Sequence, residues 1–225
     1  GQVPVEPASS ASDMRVWTLA NGKSIEAEYV NIMGGKVVLK AARGKTIKVP
    51  PLEFSAADIK HLALLNPPKL KISFKKNTKS YQVRSNPDGG MAIPVATEFA
   101  GGVVLQQEDR MNDYQRPLRL EFYVILDEFD GDNYILHDRQ IETFTLSPEN
   151  DRRFELTGRT DIMLRYEHYG GNVRGEKYKG YMILVYNERD ELIAQNLSHD
   201  WLLDLRDKLL VFPVGRHFNE AADRV

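Results

Sequence analysis

The sequence predicts a mainly β protein: a very small β-barrel closed by one helix, followed by a larger antiparallel β-sandwich-like domain with one helix near the C-terminus. Three observations predict this fold class. Glycine turn signals recur at short intervals in the first region, at Asn21-Gly22, Gly34-Gly35 and Gly44. Later segments alternate apolar and polar residues, which is typical of half-buried strands. Between the two regions, Pro67-Pro68 interrupts the chain.

The chain begins with a segment rich in proline, serine and alanine that shows no apolar periodicity. Residues 1–13 are therefore predicted to be a disordered tether. A tether of this composition commonly follows a removed signal peptide, which favours an exported bacterial protein of the periplasm or cell envelope. A cytoplasmic protein is the alternative.

Residues 14–66 are predicted to form the barrel from four short strands. Asn21-Gly22 suits a tight hairpin, because both residue types accept the positive φ angles that such a turn needs. After Tyr29 the apolar register shifts to Val30 and Ile32, which predicts a bulge. Four short strands favour a barrel, since an open sheet of this size could not bury its inner face.

A helix is predicted to begin after Ser55 and to run through Leu65. Ser55 is a typical N-cap residue, and Asp58 lies near the positive end of the helix dipole. Pro67-Pro68 cannot continue a helix, so the domain boundary is predicted there. The second domain is assigned to residues 69–225.

The first domain resembles the SLA1 homology domain 1 (SHD1) family. Members tend to read R-x-W-T, G-K, E-A-E-F, G-K-V-x-L, G-K-x-x-x-V-P and L-S-x-x-D in that order. The resemblance covers residues from about 14 to 65 and implies an SH3-like β-barrel. The matching positions are Trp17, Thr18, Gly22, Lys23, Glu26, Ala27, Glu28, Tyr29, Gly35, Lys36, Val37, Leu39, Gly44, Lys45, Val49, Pro50, Ser55 and Asp58.

The resemblance also implies a protein or peptide partner. The adaptor protein that names the family binds Asn-Pro-Phe-x-Asp sorting peptides through this domain. If the barrel binds peptides, Tyr29, Lys36 and Lys48 are the aromatic and basic residues predicted to form its contact surface.

Residues 69–225 are predicted to form an antiparallel sandwich. The clearest alternation runs from Leu118 to Asp127 and predicts a long strand with one core face. Seven or more strands, joined by loops and not by helices, favour this arrangement over a parallel sheet. One helix is predicted from Ser198 to about Val211, with Ser198 as its N-cap.

Several classes of chemistry lack support in the sequence. The chain has no cysteine, which excludes disulfides, thiolate zinc sites and cysteine nucleophiles. The five histidines show no metal-binding spacing, and neither a G-x-S-x-G elbow nor a P-loop occurs. No cofactor, catalytic residue or metal ligand is therefore predicted. The acidic loop from Asp127 to Asn133 loosely resembles a calcium loop, but a turn is the favoured interpretation and calcium binding is left open.

Charge and hydropathy limit the partners. The net charge is −2, and neither domain is basic enough to indicate nucleic acid. No apolar run is long enough to span a bilayer. The basic strip from Lys69 to Arg84 is interpreted mainly as lysines that protect a strand edge.

The leading hypothesis is a non-catalytic interaction or scaffold protein of the bacterial cell envelope. A carbohydrate-binding or carbohydrate-active role of the second domain is one alternative, suggested by a concentration of tyrosines between residues 166 and 186 and by acidic strand ends. A purely structural, self-associating protein is the other. The oligomeric state is left open.

Overall fold

A computed structural model describes residues 14–82, 95–167 and 173–225. Within these residues the protein is mainly β, with antiparallel sheets and few helices, which confirms the predicted fold class. The predicted tether of residues 1–13 lies outside the described residues, as do Arg84 of the basic strip and part of the tyrosine-rich region.

Four antiparallel strands form the sheet of the first domain, in the order β1-β2-β3-β4. They are β1 (Arg15–Thr18), β2 (Ser24–Met33), β3 (Lys36–Ala41) and β4 (Thr46–Val49). The predicted turn glycines fall between these strands, and all of them have positive φ angles. The predicted bulge after Tyr29 is confirmed, because the pairing of β2 with β3 shifts register between Tyr29 and Asn31.

The four strands do not close into a barrel by strand pairing, and β1 and β4 are the two edges of the described sheet. A short 3-10 helix at Pro51–Glu53 returns the chain to the end of β1. There Leu19 and Phe54 form an isolated antiparallel bridge. The Ala20 amide also donates to the Glu53 carbonyl at 2.7 Å. Backbone hydrogen bonds outside the four strands therefore connect the segment after β4 to the end of β1.

Trp17 lies at the centre of the first domain and is 1% exposed. Its indole Nε1 donates to the Ala27 carbonyl at 2.9 Å, and its ring meets Phe54 edge-on at a centroid distance of 5.7 Å. Helix α1 (Ala56–Leu65) buries Leu62 in the same core. The predicted N-cap is confirmed, since the Ser55 hydroxyl accepts from the Asp58 amide at 3.3 Å.

The second domain contains eight described strands, which are all paired antiparallel. They are β5 (Leu70–Gln82), β6 (Val95–Gln107), β7 (Leu118–Glu128), β8 (Tyr134–Phe144), β9 (Arg153–Glu167), β10 (Val173–Tyr186), β11 (Leu192–Leu197) and β12 (His217–Phe218). Their order is β12-β8-β7-β10-β9-β6-β5, and β11 pairs with β10. The lysine-rich strand β5 is the last in this order, as the edge-protection interpretation expects.

The sheet folds over on itself to form a sandwich. Phe99 and Leu105 of β6 share one buried cluster with Leu120 and Phe122 of β7, although β6 and β7 are not neighbours in the strand order. The two halves of the sheet therefore face each other across this core.

Strand β7 is buried on both faces, so the prediction of a single core face was wrong. Tyr123 and Ile125, on the side opposite Phe122, are 0% exposed. Helices α2 (Trp201–Asp204) and α3 (Arg206–Val211) cover this side, and Leu202 and Leu209 pack into a second core against the sheet. The domain thus has three layers, two of β-structure and one of helix.

The predicted C-terminal helix differs from the one observed. Helical structure begins at Trp201 and is interrupted at Leu205, which lies between α2 and α3. Ser198 was predicted to be the N-cap, but its Oγ accepts from the Tyr181 amide at 2.8 Å and donates to the Tyr181 carbonyl at 3.1 Å. Because these hydrogen bonds hold Ser198 to β10, its side chain is not free to cap the helix.

The two domains meet where α1 ends. The side-chain amide of Asn112 donates to the Asn66 carbonyl at 3.0 Å. Ala63 of α1 packs against the sandwich core. The first domain is therefore attached to the second at the end of the sandwich where β7 begins.

Gly158 of β9 is closely surrounded by residues of neighbouring strands. A Cβ atom at this position would lie 2.6 Å from Oδ2 of Asp138 and 2.8 Å from the Gly101 carbonyl oxygen. The same Asp138 oxygen accepts from the Arg159 amide at 2.6 Å. There is consequently no room for a side chain at residue 158.

We expect Gly158→Ala to lower the free energy of unfolding by about 1–3 kcal/mol, because overpacking forces the backbone or Asp138 to move. Urea unfolding followed by circular dichroism measures the change. Thr157→Ala, at an exposed neighbouring position, should change stability by no more than about 0.5 kcal/mol. A Gly158→Ala variant that is as stable as the wild type would contradict this close packing around residue 158.

No helix in the described part of the chain has the length and apolar character that crossing a bilayer requires.

Candidate interaction surface

The outer face of β3 is formed by alternate residues of the strand. Val37 and Leu39 are fully buried in the core of the first domain. Lys36 and Lys40 alternate with them and are exposed. Because successive side chains of a strand lie on opposite faces, the core on one side places the two lysines on the other.

Strand β4 continues this face. Val49 is buried and Ile47 packs against the same core, whereas Lys48 between them is exposed. Lys48 is directly opposite Val38 of β3 in the strand register. The outer sides of β3 and β4 thus form one surface.

Five cations lie on this hairpin, three on its outer face and two, Arg43 and Lys45, in the turn between β3 and β4; we call their combined surface the basic face. The segment from Gly34 to Leu52 contains five basic residues and no acidic residue. All five are exposed, and none forms an ion pair with a carboxylate of the described residues. They are Lys36, Lys40, Arg43, Lys45 and Lys48. The hairpin is a positively charged surface without ion pairs to the described residues, although Glu28 of β2 is directly opposite Lys40 in the strand register.

Two of the three predicted contact residues, Lys36 and Lys48, lie on the basic face. Tyr29 does not, because it is opposite Leu39 in the register and packs against the core. Burial raises the pKa of the Tyr29 hydroxyl. Contact of this surface with a peptide stays a prediction.

The sequence interpretation missed the other three cations, Lys40, Arg43 and Lys45. Counting charged residues over the hairpin alone would have identified them. The excess of basic residues in the hairpin is hidden when charges are summed over the whole first domain, because acidic residues elsewhere in the domain offset it.

Asp58 stabilises the first domain from within. It is 3% exposed and accepts hydrogen bonds from the Thr18 amide at 2.6 Å and from Nη2 of Arg15 at 2.8 Å. Its other side-chain donor is the Ser55 hydroxyl at 3.2 Å. Burial alone would raise the pKa of Asp58, but these donors and the Arg15 charge together lower it. Asp58 therefore has a structural role, away from the basic face.

A second charged region lies where β7 ends. Asp127, Glu128, Asp132 and Glu220 line an open cleft of about 500 Å³ together with Lys177. Lys177 pairs with Asp127 at 3.8 Å, which leaves a surplus of carboxylates. We call this site the acidic cleft.

A smaller cleft of about 400 Å³ adjoins the acidic cleft and shares Glu128 with it. Glu128 is hydrogen-bonded to Nδ1 of His217. Glu176 lines the same space, and burial raises the pKa of its carboxyl group, with further contributions from Asp161 and Glu128.

The acidic loop is the connection between β7 and β8, as the turn interpretation expects. Gly131 within it has a φ of 147°, and a Cβ atom there would lie 2.2 Å from Oε2 of Glu128. Among the residues that the structure describes, no three His, Asp or Glu side chains are grouped so that they could hold a metal ion. Calcium binding by this loop thus has no support in its geometry.

Comparisons with known proteins concern mainly the first domain. Residues 6–67 match the family SLA1 homology domain 1, SHD1. No curated protein matches the chain. A solved structure titled as a crystal structure from Akkermansia muciniphila is similar over 61% of this chain and 76% of its own, with 12% identity and a TM-score of 0.26.

At that TM-score the likeness to the Akkermansia muciniphila structure supports no conclusion on fold or function. The family match coincides with the domain built from β1 to α1 and with the residues that carry the sequence resemblance. Residues 6–67 of this chain therefore belong to the SLA1 homology domain 1 family.

Proposed function

We propose that the protein is a non-catalytic interaction protein whose SHD1 domain binds acidic segments of other proteins through the basic face. The observation that carries this proposal is the set of five exposed cations on one hairpin, none of which is ion-paired within the part of the chain that the structure describes. Membership of the SHD1 family supports protein interaction as the role of the domain. Complementary charge favours fast encounter with an acidic partner and disfavours a basic one.

The edge of the sheet suggests how such a segment binds. Strand β4 pairs only with β3 among the described residues, so its other edge offers backbone groups to an extended peptide. Lysines on an edge strand repel neutral or basic strands. An acidic strand would instead gain ion pairs with Lys45 and Lys48 in addition to main-chain hydrogen bonds.

We also propose that the protein acts in the bacterial cell envelope. The composition of residues 1–13 supports this location. Fractionation of the native host, with antibody detection in envelope and cytoplasmic fractions, tests it directly.

The carbohydrate alternative is weakened at two of the tyrosines that suggested it. Tyr178 and Tyr181 stack on Phe74, at centroid distances of 5.9 and 4.1 Å. Burial raises the pKa of both hydroxyls. These rings serve packing between the layers, so a sugar could not stack on them without rearrangement of the sandwich.

A peptide array of acidic, neutral and basic sequences tests the proposed binding. We expect the full chain to retain acidic peptides selectively, and the double variant Lys36→Glu and Lys48→Glu to lose at least ten-fold in affinity. The matched control is Lys71→Glu with Lys75→Glu, which makes the same charge change at exposed positions of β5.

The control should bind like the wild type. Equal loss in both double variants would attribute binding to net charge and not to the basic face. Selection of neutral or basic peptides would contradict the proposal.

A further inference from the structure

We propose that copies of this chain associate head to tail, with the basic face of one copy docked on the acidic cleft of the next. This inference rests on the proposed function, because it takes the basic face as the contact surface and names a second copy as its partner. It assigns the acidic cleft as the binding site of the basic face.

The acidic cleft has the groups that lysine side chains require. Asp132 and Glu220 are exposed and form no ion pair with any described residue. The ring of Tyr134 also lines the cleft, and the ammonium group of Lys179 lies over it at 5.8 Å from the ring centroid, so the carboxylates are the groups left for a partner. The cleft is therefore complementary to a surface of exposed lysines in charge and in chemistry.

The position of the two surfaces favours contact between copies over contact within one chain. The first domain is attached near the start of β7, where Asn112 binds Asn66. The acidic cleft lies at the other end of β7, and a strand of 11 residues spans about 33 Å. A domain the size of the first one has a radius of gyration of only about 10 Å, so its basic face does not reach the cleft of its own chain.

Contact between two different surfaces repeats from copy to copy. Such a heterologous interface builds a ring if the rotation closes and an open filament if it does not. The interface is rich in charge, so association should weaken steeply as salt is added. We therefore expect a concentration-dependent and salt-dependent series of oligomers in place of a single symmetric dimer.

Sedimentation velocity of the full chain tests the proposal. We expect the wild type to associate at low salt and to dissociate when the salt concentration is raised about ten-fold. The basic-face variant carries Lys36→Glu and Lys48→Glu, and the acidic-cleft variant carries Asp132→Lys and Glu220→Lys. Each variant alone should stay monomeric, whereas an equimolar mixture should form a 1:1 complex, because each retains the surface that the other has lost.

A chain that carries all four substitutions is the control for net charge. Its net charge equals that of the wild type, but its basic face then has three cations and two carboxylates and its acidic cleft three lysines and two carboxylates. Because both surfaces are left with a small positive charge, we expect this variant to stay monomeric. All four positions are exposed, and circular dichroism verifies that each variant is folded.

Three outcomes would overturn the head-to-tail proposal: a wild type that is monomeric at all concentrations, self-association that persists in both double variants, or self-association of the four-fold variant. A monomeric wild type that still selects acidic peptides on the array would assign the basic face to a foreign partner, and the proposed function would stand without the self-association. If the wild type neither self-associates nor selects acidic peptides, both the head-to-tail proposal and the proposed function are wrong.

Discussion

Glu121→Gln is expected to lower the free energy of unfolding by about 3–5 kcal/mol, the range found when one partner of a buried ion pair is removed. Glu121 lies on β7 beneath the helical layer and is 1% exposed. Its carboxylate accepts from Nε of Arg206 and from the Tyr123 hydroxyl, both at 2.9 Å. A second ion pair joins it to the same arginine.

The loss should be large because two half-buried guanidinium groups depend on this carboxylate. Arg119 also approaches Glu121, at 3.4 Å, and the Arg119 and Arg206 guanidiniums lie over the ring of Tyr186 at 4.8 and 5.1 Å. The hydrogen bonding that Arg206 donates to Glu121 is the main reason that the pKa of Arg206 is raised. A neutral amide would leave these cations without their buried counter-charge.

Urea unfolding followed by circular dichroism measures this loss. The matched control is Glu155→Gln, which breaks an arginine–glutamate pair in which Glu155 is 58% exposed. Exposed pairs contribute at most about 1 kcal/mol, so the control should stay close to the wild type. Similar losses in the two variants would mean that burial of Glu121 does not determine its contribution.

Asp58→Ala is expected to destabilise the first domain by about 3 kcal/mol, near the lower limit for a buried ion pair because Arg15 is itself partly exposed. The substitution also leaves the Thr18 amide without its side-chain acceptor. Because Thr18 is exposed, water replaces this acceptor, and the lost hydrogen bond contributes about 0.5–1.5 kcal/mol.

Fluorescence of Trp17 isolates this effect. The chain has two tryptophans, one in each domain, so a Trp201→Phe background leaves Trp17 as the reporter of the first domain. Glu53→Ala, at an exposed acidic residue of the same domain, serves as the control and should unfold like the background protein. A wild-type unfolding midpoint in Asp58→Ala would refute the structural role of the carboxylate.

The contribution of Asp58 also depends on pH with a definite sign. Its pKa in the folded protein is lowered, so the unfolded chain binds the proton more readily and the stabilisation is present above the unfolded pKa of about 3.9. It is lost as the pH falls through the folded pKa. The difference in stability between the wild type and Asp58→Ala should therefore shrink in acid, and an undiminished difference there would contradict this linkage.

The first domain could be predicted in detail because its signals are local. Gly22, Gly35 and Gly44 each need a positive φ angle, and Ser55 caps a helix through an atom three residues away. Closure of the barrel could not be predicted in this way. It depends on how the segment at Phe54 returns to β1, which is a contact over a long separation in sequence.

The second domain was predicted less completely, and the reason is tertiary structure. Glu121 and Arg119 made β7 look like a strand with one polar face, yet Glu121 is buried because Arg206 of α3 supplies its counter-charge. Ser198 resembles a cap in sequence, but the hydroxyl is bound by Tyr181 of a distant strand. Periodicity cannot reveal partners that only the folded chain brings together.

The candidate surface was predicted in part. Lys36 and Lys48 could be chosen because alternation places them outside the core, whereas Tyr29 could not be placed by alternation alone, since the bulge that follows it changes the register. The acidic cleft was visible only as a turn in the sequence. Glu220 lines this cleft only because the C-terminal segment packs beside the end of β7, and that packing could not be predicted from the sequence.

The hydrogen bond from Asn196 to the Ile72 carbonyl joins residues 124 positions apart, and this has a consequence for synthesis on the ribosome. Every described strand of the first domain lies before Asn66, so that domain can fold while the rest of the chain is still being made. The sandwich must wait until β11 has left the exit tunnel, since β5 and β11 come together only then. We therefore expect the second domain to finish folding later than the first during synthesis.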